Sequence, residues 1–152
     1  MQTKEIEFIP LKDISSIDLE KHIFIEASAG TGKTYTITRI LLRYILEYEV
    51  DYKKIILLTF TNKATQEMLI RVREIIQNGI KEKKLEFLNK KELSEHQIRI
   101  LKEMLKYFDQ IKIATIHSFC KSLLSEFPFE LNIPTTTEII NNTDSIIYEI
   151  LL

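Results

Sequence analysis

A strand-to-helix turn carrying two closely spaced glycines constrains this chain more than any other feature of its sequence. Residues 23–34 read IFIEASAGTGKT, and two of the chain's three glycines stand there, at Gly30 and Gly32. The segment 22–26, HIFIE, reads as a short buried strand. Residues 33–48, KTYTITRILLRYILEY, read as a helix with apolar positions at Ile37, Ile40, Leu41, Tyr44 and Ile45. Backbone N–H groups turned inward at the positive end of a helix hold phosphate oxygens, and glycine permits the close approach. Ala27, Ser28, Ala29, Gly30, Thr31 and Gly32 then form a cradle for ATP. Lys33 reaches the β- and γ-phosphates, and the Thr34 hydroxyl ligates Mg²⁺, which makes these two the candidate catalytic residues. Ala27 stands where the usual formula has glycine. The competing reading is a turn that merely needs glycine; a strand before it and a helix after it favour the cradle.

Further along, KKIILLTF (53–60) is a continuous apolar run of the kind found in parallel strands covered on both faces. NKATQEMLIRVREIIQNGI (62–80) predicts a helix with Ala64, Met68, Leu69, Val72, Ile75 and Ile76 on one stripe, Asn62 as its N-cap and Gly79 near its end. Residues 81–110 are heavily charged, with Leu85, Leu88, Leu101, Leu105 and Phe108 at helical spacing, and read as a solvated helical insertion rather than core. IKIATI (111–116) returns to strand and SFCKSLLSEF (118–127) to helix, with Cys120 on the apolar side as a packing residue. The stretch from Pro128 to Pro134 reads as a linker, and TDSIIYEILL as a helix just beginning. Strands alternating with helices imply an α/β fold with a parallel sheet and right-handed crossovers. The apolar run at the end, without a polar exit, points to the N-terminal piece of something longer. The organisation expected is a nucleotide-binding core over 1–80, the charged insertion over 81–110, a return strand and helix over 111–127, and a linker leading into a truncated helical subdomain over 128–152.

The 152 residues suffice for one core, and 45% hydrophobic with 28% charged residues is the balance of a soluble globular domain. A net charge of −1 excludes a general polyanion binder, so any nucleic-acid site is a local surface. The single cysteine, Cys120, forms no internal disulfide, and neither a signal peptide nor a membrane span is visible, so the expected location is the cytoplasm, with no membrane contact.

A second polar station follows the second strand, in LLTFTNKATQEM (57–68). Ligands of open parallel sheets bind at the carboxyl ends of strands. Polar groups there hold a phosphate backbone, and an exposed Phe60 stacks on a base. Residue types alone leave Phe60 equally readable as core, and Thr61 and Asn62 as an ordinary helix cap.

ASAGTGKT followed by TFTNKATQEM resembles the UvrD/Rep class of superfamily 1 helicases, TFTNKA matching their motif Ia nearly letter for letter. IATIHSFCKSLLSEFPFE is similar to the RecB/AddA-type helicase–nucleases within that class, and IEASAGTGKT with FE in the linker to their exodeoxyribonuclease V beta type. The three motifs span residues 22–130. The resemblance implies a P-loop (RecA-like) three-layer αβα fold, here a partial domain with a helical insertion. It implies that residues 27–34 bind ATP and Mg²⁺, and that Phe60, Thr61, Asn62 and Thr65 face single-stranded DNA, as do Thr115, His117 and Ser118. Without it, His117 reads as a capping or buried histidine. The implied activity is that of an ATP-dependent 3′–5′ DNA helicase, one component of a helicase–nuclease that processes double-strand ends in recombinational repair. DNA and the other helicase–nuclease subunits are the implied partners.

The chain departs from the family pattern in several places. ATP hydrolysis there needs an Asp-Glu pair at a strand end and arginines from a second domain. Neither is present: Asp18 precedes the loop, Asp109 sits in the charged stretch and Asp144 follows an Asn-rich turn. Only Gln2 precedes the loop, so the adenine-reading glutamine has no clear equivalent, and no nuclease carboxylate cluster is visible. The isolated chain is expected to be inactive. Rival readings are a small P-loop kinase and a non-enzymatic module that binds nucleotide or single-stranded DNA. An unpaired sheet edge or exposed apolar face would favour dimerisation.

Overall fold

The computed structural model describes residues 11, 13–28, 30, 32–88 and 92–127. The chain divides between Thr115 and Ile116 into two compact units.

In the first unit the order of elements is α1 (Lys33–Glu47), β1 (Ile56–Thr59), α2 (Asn62–Glu82), α3 (Glu95–Lys106) and β2 (Lys112–Thr115), with short 3₁₀ segments at Ile14–Ser16, Tyr52–Lys54 and Phe108–Gln110. β1 and β2 form a parallel two-stranded sheet in which Ile56 faces Lys112 and Thr59 faces Thr115. Parallel strands need a long crossover, and α2 with α3 supplies it. The α/β class and the parallel pairing therefore follow the expectation.

One core runs through the unit. Leu41, Leu42, Ile45 and Leu46 of α1 meet Met68, Val72 and Ile76 of α2, with Leu101 and Met104 of α3 closing it. Burial of each such side chain is worth about 1.5–3 kcal/mol. Leu85, Leu88, Leu101 and Phe108 belong to this same core, which corrects the reading of 81–110 as a solvated insertion. Charged residues take the outward positions, so charge content conceals a buried leucine stripe. Gly79 is part of the reason those leucines reach α2. A Cβ there would stand 3.0 Å from Leu85 Cδ2 and 3.3 Å from Leu101 Cδ1. Gly79, in the last turn of α2 as expected, is thus also an interior contact point, and the helix is capped at Lys83 with φ 52°.

Four further expectations change. Residues 22–26 are not a strand: β1 and β2 pair with each other, and among the described residues nothing offers 22–26 a ladder. Phe24 there is 80% exposed. β1 is covered on one face only, because Ile56 and Leu58 are exposed while the alternate Thr59 is buried. Of the apolar positions expected on α1, Leu41 and Ile45 are buried, but the buried face runs on to Thr38, Leu42 and Leu46, leaving Ile37 exposed and Ile40 and Tyr44 half-buried. Those three residues line a shallow groove with Ile23 and Ile25. The N-cap of α2 is Thr61 rather than Asn62, since the Thr61 hydroxyl accepts from the Ala64 N–H at 3.1 Å.

The segment before the loop is strapped to α1 through a buried cation. Arg43, 4% exposed, donates from Nη1 to the carbonyls of Ile14 (2.6 Å) and Ile17 (3.0 Å). Its Nε donates to Glu47 at 2.7 Å, and the Tyr44 hydroxyl donates to Leu19 O at 2.7 Å. At the far end of α1, Gln97 Nε2 donates to the Leu46 carbonyl at 2.8 Å, one of the acceptors that a helix end leaves open. Gln97 also completes the Ser94 capping box of α3.

In the second unit the described residues form α4 (Ile116–Glu126), none of them buried. Cys120 is exposed, which corrects its assignment to packing: an apolar side to a helix is a core side only where another layer covers it. The linker and final helix expected beyond residue 127 lie outside the described residues.

Candidate nucleotide and nucleic-acid site

The loop ahead of α1 has the backbone that its glycines suggest. Gly30 has φ +79° and Gly32 φ +96°, both in the left-handed region. A Cβ on Gly30 would meet nothing within 4 Å, so conformation rather than space calls for glycine. Gly32 is the N-cap of α1, with no side-chain hydrogen bond at the cap and no acidic residue in the first turn. The positive end of a 15-residue helix is therefore left for an outside anion. Lys33 and Thr34 are its first two residues, Lys33 exposed and Thr34 half-buried. The buried Thr38 hydroxyl steadies this turn by donating to the carbonyls of Thr34 (2.9 Å) and Tyr35 (3.1 Å). These residues fit a polyphosphate. Ala27 and Ser28 precede them, while Ala29 and Thr31 lie outside the described residues.

Sequence reasoning missed Tyr35 and Arg39. The Arg39 guanidinium carbon lies 3.1 Å from the centroid of the Tyr35 ring, two residues beyond Lys33. Partial burial lowers the Arg39 pKa from its ordinary value. Tyr35 is 48% exposed, an aromatic ring stiffened by a cation in the first turn of α1. The signal was the i, i+4 spacing of the two residues on one helix.

The second station lies at the carboxyl ends of β1 and β2. Phe60 is 82% exposed, and Thr61 and Asn62 are exposed beside it. Thr65 and Thr115, expected on the same surface, are buried at 9% and 7% exposure. The Thr65 hydroxyl is engaged inside, 2.6 Å from that of Thr59. Thr115 faces Thr59 across the ladder, so the sheet brings Phe60, Thr61, Asn62, Thr65 and Thr115 to one end. His117 and Ser118 are exposed on α4, in the second unit.

Of the acidic residues singled out by sequence, Asp18 and Asp109 lie elsewhere. Asp18 pairs with Lys21 at 2.8 Å, and this partner holds its carboxyl below the usual range. Asp109 lines a groove with Leu69, Ile70, Arg73, Phe108 and Ile113 that contains none of the expected site residues. Asp144 is outside the described residues.

Fold and site together define an α/β unit with an anion-receptive loop and an aromatic projecting at the strand ends. Residues 11–151 match the UvrD/REP helicase N-terminal domain, and the chain belongs to that family. It is 36% identical over 155 residues to the RecBCD enzyme subunit RecB of Buchnera aphidicola subsp. Acyrthosiphon pisum, a match covering 88% of this chain and 13% of that protein. With the RecB subunit of Haemophilus influenzae it shares 32% over 164 residues, 93% of this chain and 14% of that protein. An ATP-dependent helicase/nuclease subunit of Desulforudis audaxviator is 33% identical over 130 residues, 84% of this chain and 10% of that protein. The chain thus spans a small part of the length of these relatives.

Proposed function

We propose that the chain is the ATP-binding N-terminal portion of an ATP-dependent 3′–5′ DNA helicase subunit, in a helicase–nuclease of the exodeoxyribonuclease V beta type. Its parent acts on double-strand ends in repair and recombination, with other helicase–nuclease subunits, in the cytoplasm. The core is read as part of a RecA-like three-layer αβα domain whose remaining strands lie elsewhere in the parent. The observation that carries this reading is the pair of left-handed glycines, Gly30 and Gly32, leading into a helix without a side-chain cap whose first residues are Lys33 and Thr34.

Residues 27–32 would wrap the phosphates with backbone N–H groups, Lys33 would neutralise the β- and γ-phosphate oxygens, and the Thr34 hydroxyl would face Mg²⁺. Mg·ATP held there would supply the phosphoanhydride that the parent helicase cleaves. Phe60 would stack on a base of the single strand, with Thr61 and Asn62 on the phosphate backbone beside it. His117 and Ser118, exposed on α4, are read as single-strand contacts of the second unit, while the buried Thr115 would support the end of β2 from within.

Calorimetry with Mg·ATP tests the cradle, wild type beside Lys33→Ala. Binding by wild type with at least tenfold weakening in the variant is expected, because a charge-assisted phosphate contact is worth about 1.5–3 kcal/mol. Equal affinities would overturn it.

A further inference from the structure

Beneath Phe60 lies a set of threonine hydroxyls that neither strand nor helix formation requires. Thr59 and Thr65 are each 9% exposed, and Thr115, opposite Thr59, is 7% exposed. The Oγ1 atoms of Thr59 and Thr65 are 2.6 Å apart. Each also lies 3.2 Å from the carbonyl oxygen of Thr61, and Thr59 Oγ1 is 3.5 Å from the carbonyl of Ala114 on β2. The start of α2 is already served without them. The Thr61 hydroxyl accepts from the Ala64 N–H, and the Thr65 N–H donates to Thr61 O at 3.1 Å. Valine would fill both buried positions with the same branched shape and no hydroxyl to desolvate. The two hydroxyls therefore need another explanation, and their shared acceptor gives it.

We infer that the Thr59–Thr65 hydroxyl pair is a positioning device: it clamps the Thr61 carbonyl and so fixes the backbone that holds Phe60 outward to stack on a nucleobase. This rests on the reading of Phe60 as a single-strand contact. Phe60 sits between the two clamped residues, with Thr59 anchored in the ladder and Thr61 held by its carbonyl. A large aromatic at 82% exposure loses its hydrophobic burial, and a flexible turn would let it fold down onto apolar surface. Holding it outward before ligand arrives removes an ordering cost from binding. The proton count is consistent with one tether surviving each single deletion. With both hydroxyls present, Thr65 donates to Thr61 O while Thr59 donates to Thr65 Oγ1 or, at longer range, to Ala114 O, or Thr59 donates to Thr61 O while Thr65 donates to Thr59 Oγ1. Thr59→Val leaves Thr65 to donate to Thr61 O, and Thr65→Val leaves Thr59 to do the same. Only the double change frees that carbonyl from both.

The chain has no tryptophan, so Phe60→Trp places a lone fluorescent reporter at the contact. Quenching by oligo(dT) gives affinity, and time-resolved anisotropy of the indole gives its local freedom without ligand. In this background Thr59→Val with Thr65→Val should weaken oligo(dT) binding about tenfold and loosen the indole, while each single change costs about two- to threefold. Thr59→Ser with Thr65→Ser, which keeps both hydroxyls, should restore affinity to within about twofold. If the valine pair unfolds at the assay temperature, the single and serine variants decide the matter by the same values. Parental affinity and parental anisotropy in the valine variants would overturn the inference, as would a serine pair that fails to restore binding. Phe60→Ala in the otherwise native chain, measured with labelled oligo(dT), separates the two levels. Unchanged binding there overturns the single-strand reading and the clamp with it. Binding lost in Phe60→Ala but kept in the valine pair overturns the clamp alone.

Discussion

At Tyr52 a phenol oxygen is buried with no hydrogen-bond partner among the described residues. An unpaired buried hydroxyl costs about 1 kcal/mol or more, so Tyr52→Phe should stabilise the fold by about 1 kcal/mol in urea denaturation. Burial also raises the Tyr52 pKa above its ordinary 10.0. Below pH 10.0 folded and unfolded chains both keep the proton, and the contribution is fully present. As pH rises past that value the unfolded chain loses its proton first and stability falls, until the folded group titrates in turn. Tyr52→Phe should flatten that alkaline slope, and an unchanged slope would place the effect elsewhere. Gly79 makes the opposite test. Alanine favours a helix by up to about 1 kcal/mol over glycine, but here its Cβ would press on Leu85 at 3.0 Å. Overpacking should win, with Gly79→Ala losing about 1 kcal/mol net by thermal denaturation. The left-handed glycines of the loop were legible in sequence, because no other residue adopts that backbone so readily. The Thr59–Thr65 pair was not, since a threonine says nothing of its own burial.

Among the elements, α1 and α2 are the most legible, because helices of about four and about six turns with periodic apolar residues leave little choice of structure. Which way α1 faces was legible only in part, through the buried Leu41 and Ile45. Ile37, Ile40 and Tyr44 make a second apolar stripe beside the buried one, and only packing chose between them. Arg43 illustrates the same limit. Its place on the buried side of α1 makes sense only once two carbonyls of the preceding segment arrive to accept from it. Arg43→Ala should cost about 3 kcal/mol in chemical denaturation and expose residues 13–19 to hydrogen exchange ahead of the core. The one-sided cover of β1 gives a second test at this scale. Leu58 is 46% exposed, so Leu58→Lys should stay within about 0.5 kcal/mol of wild type. Leu101→Ala, at a fully buried position in a stretch rich in charge, should lose about 3 kcal/mol. Comparable losses at the two positions would mean that the outer face of the sheet is covered.

For the whole molecule the groups that hydrolysis requires set the expectation. The proposed cradle would bind phosphate, but hydrolysis needs carboxylates that hold Mg²⁺ and position water, and the 152-residue sequence contains no Asp-Glu dipeptide. The purified 152-residue chain should therefore show no appreciable DNA-stimulated ATP hydrolysis, by phosphate release, whether or not it binds nucleotide. Robust turnover abolished by Lys33→Ala would refute this. The sequence by itself determined the glycine loop, the two long helices, the strand character of 56–59 and 112–115 in an α/β chain, and the three motifs that place the chain in its family. Each of those is carried by residues close in sequence or by a periodicity that only one element type satisfies. Tertiary structure decided the rest: that residues 22–26 lack a ladder, that the charged stretch supplies core leucines, and that Thr65 turns inward while Phe60 stays out. Those outcomes depend on which surfaces find a partner, and a partner distant along the chain leaves no mark on the residues it covers.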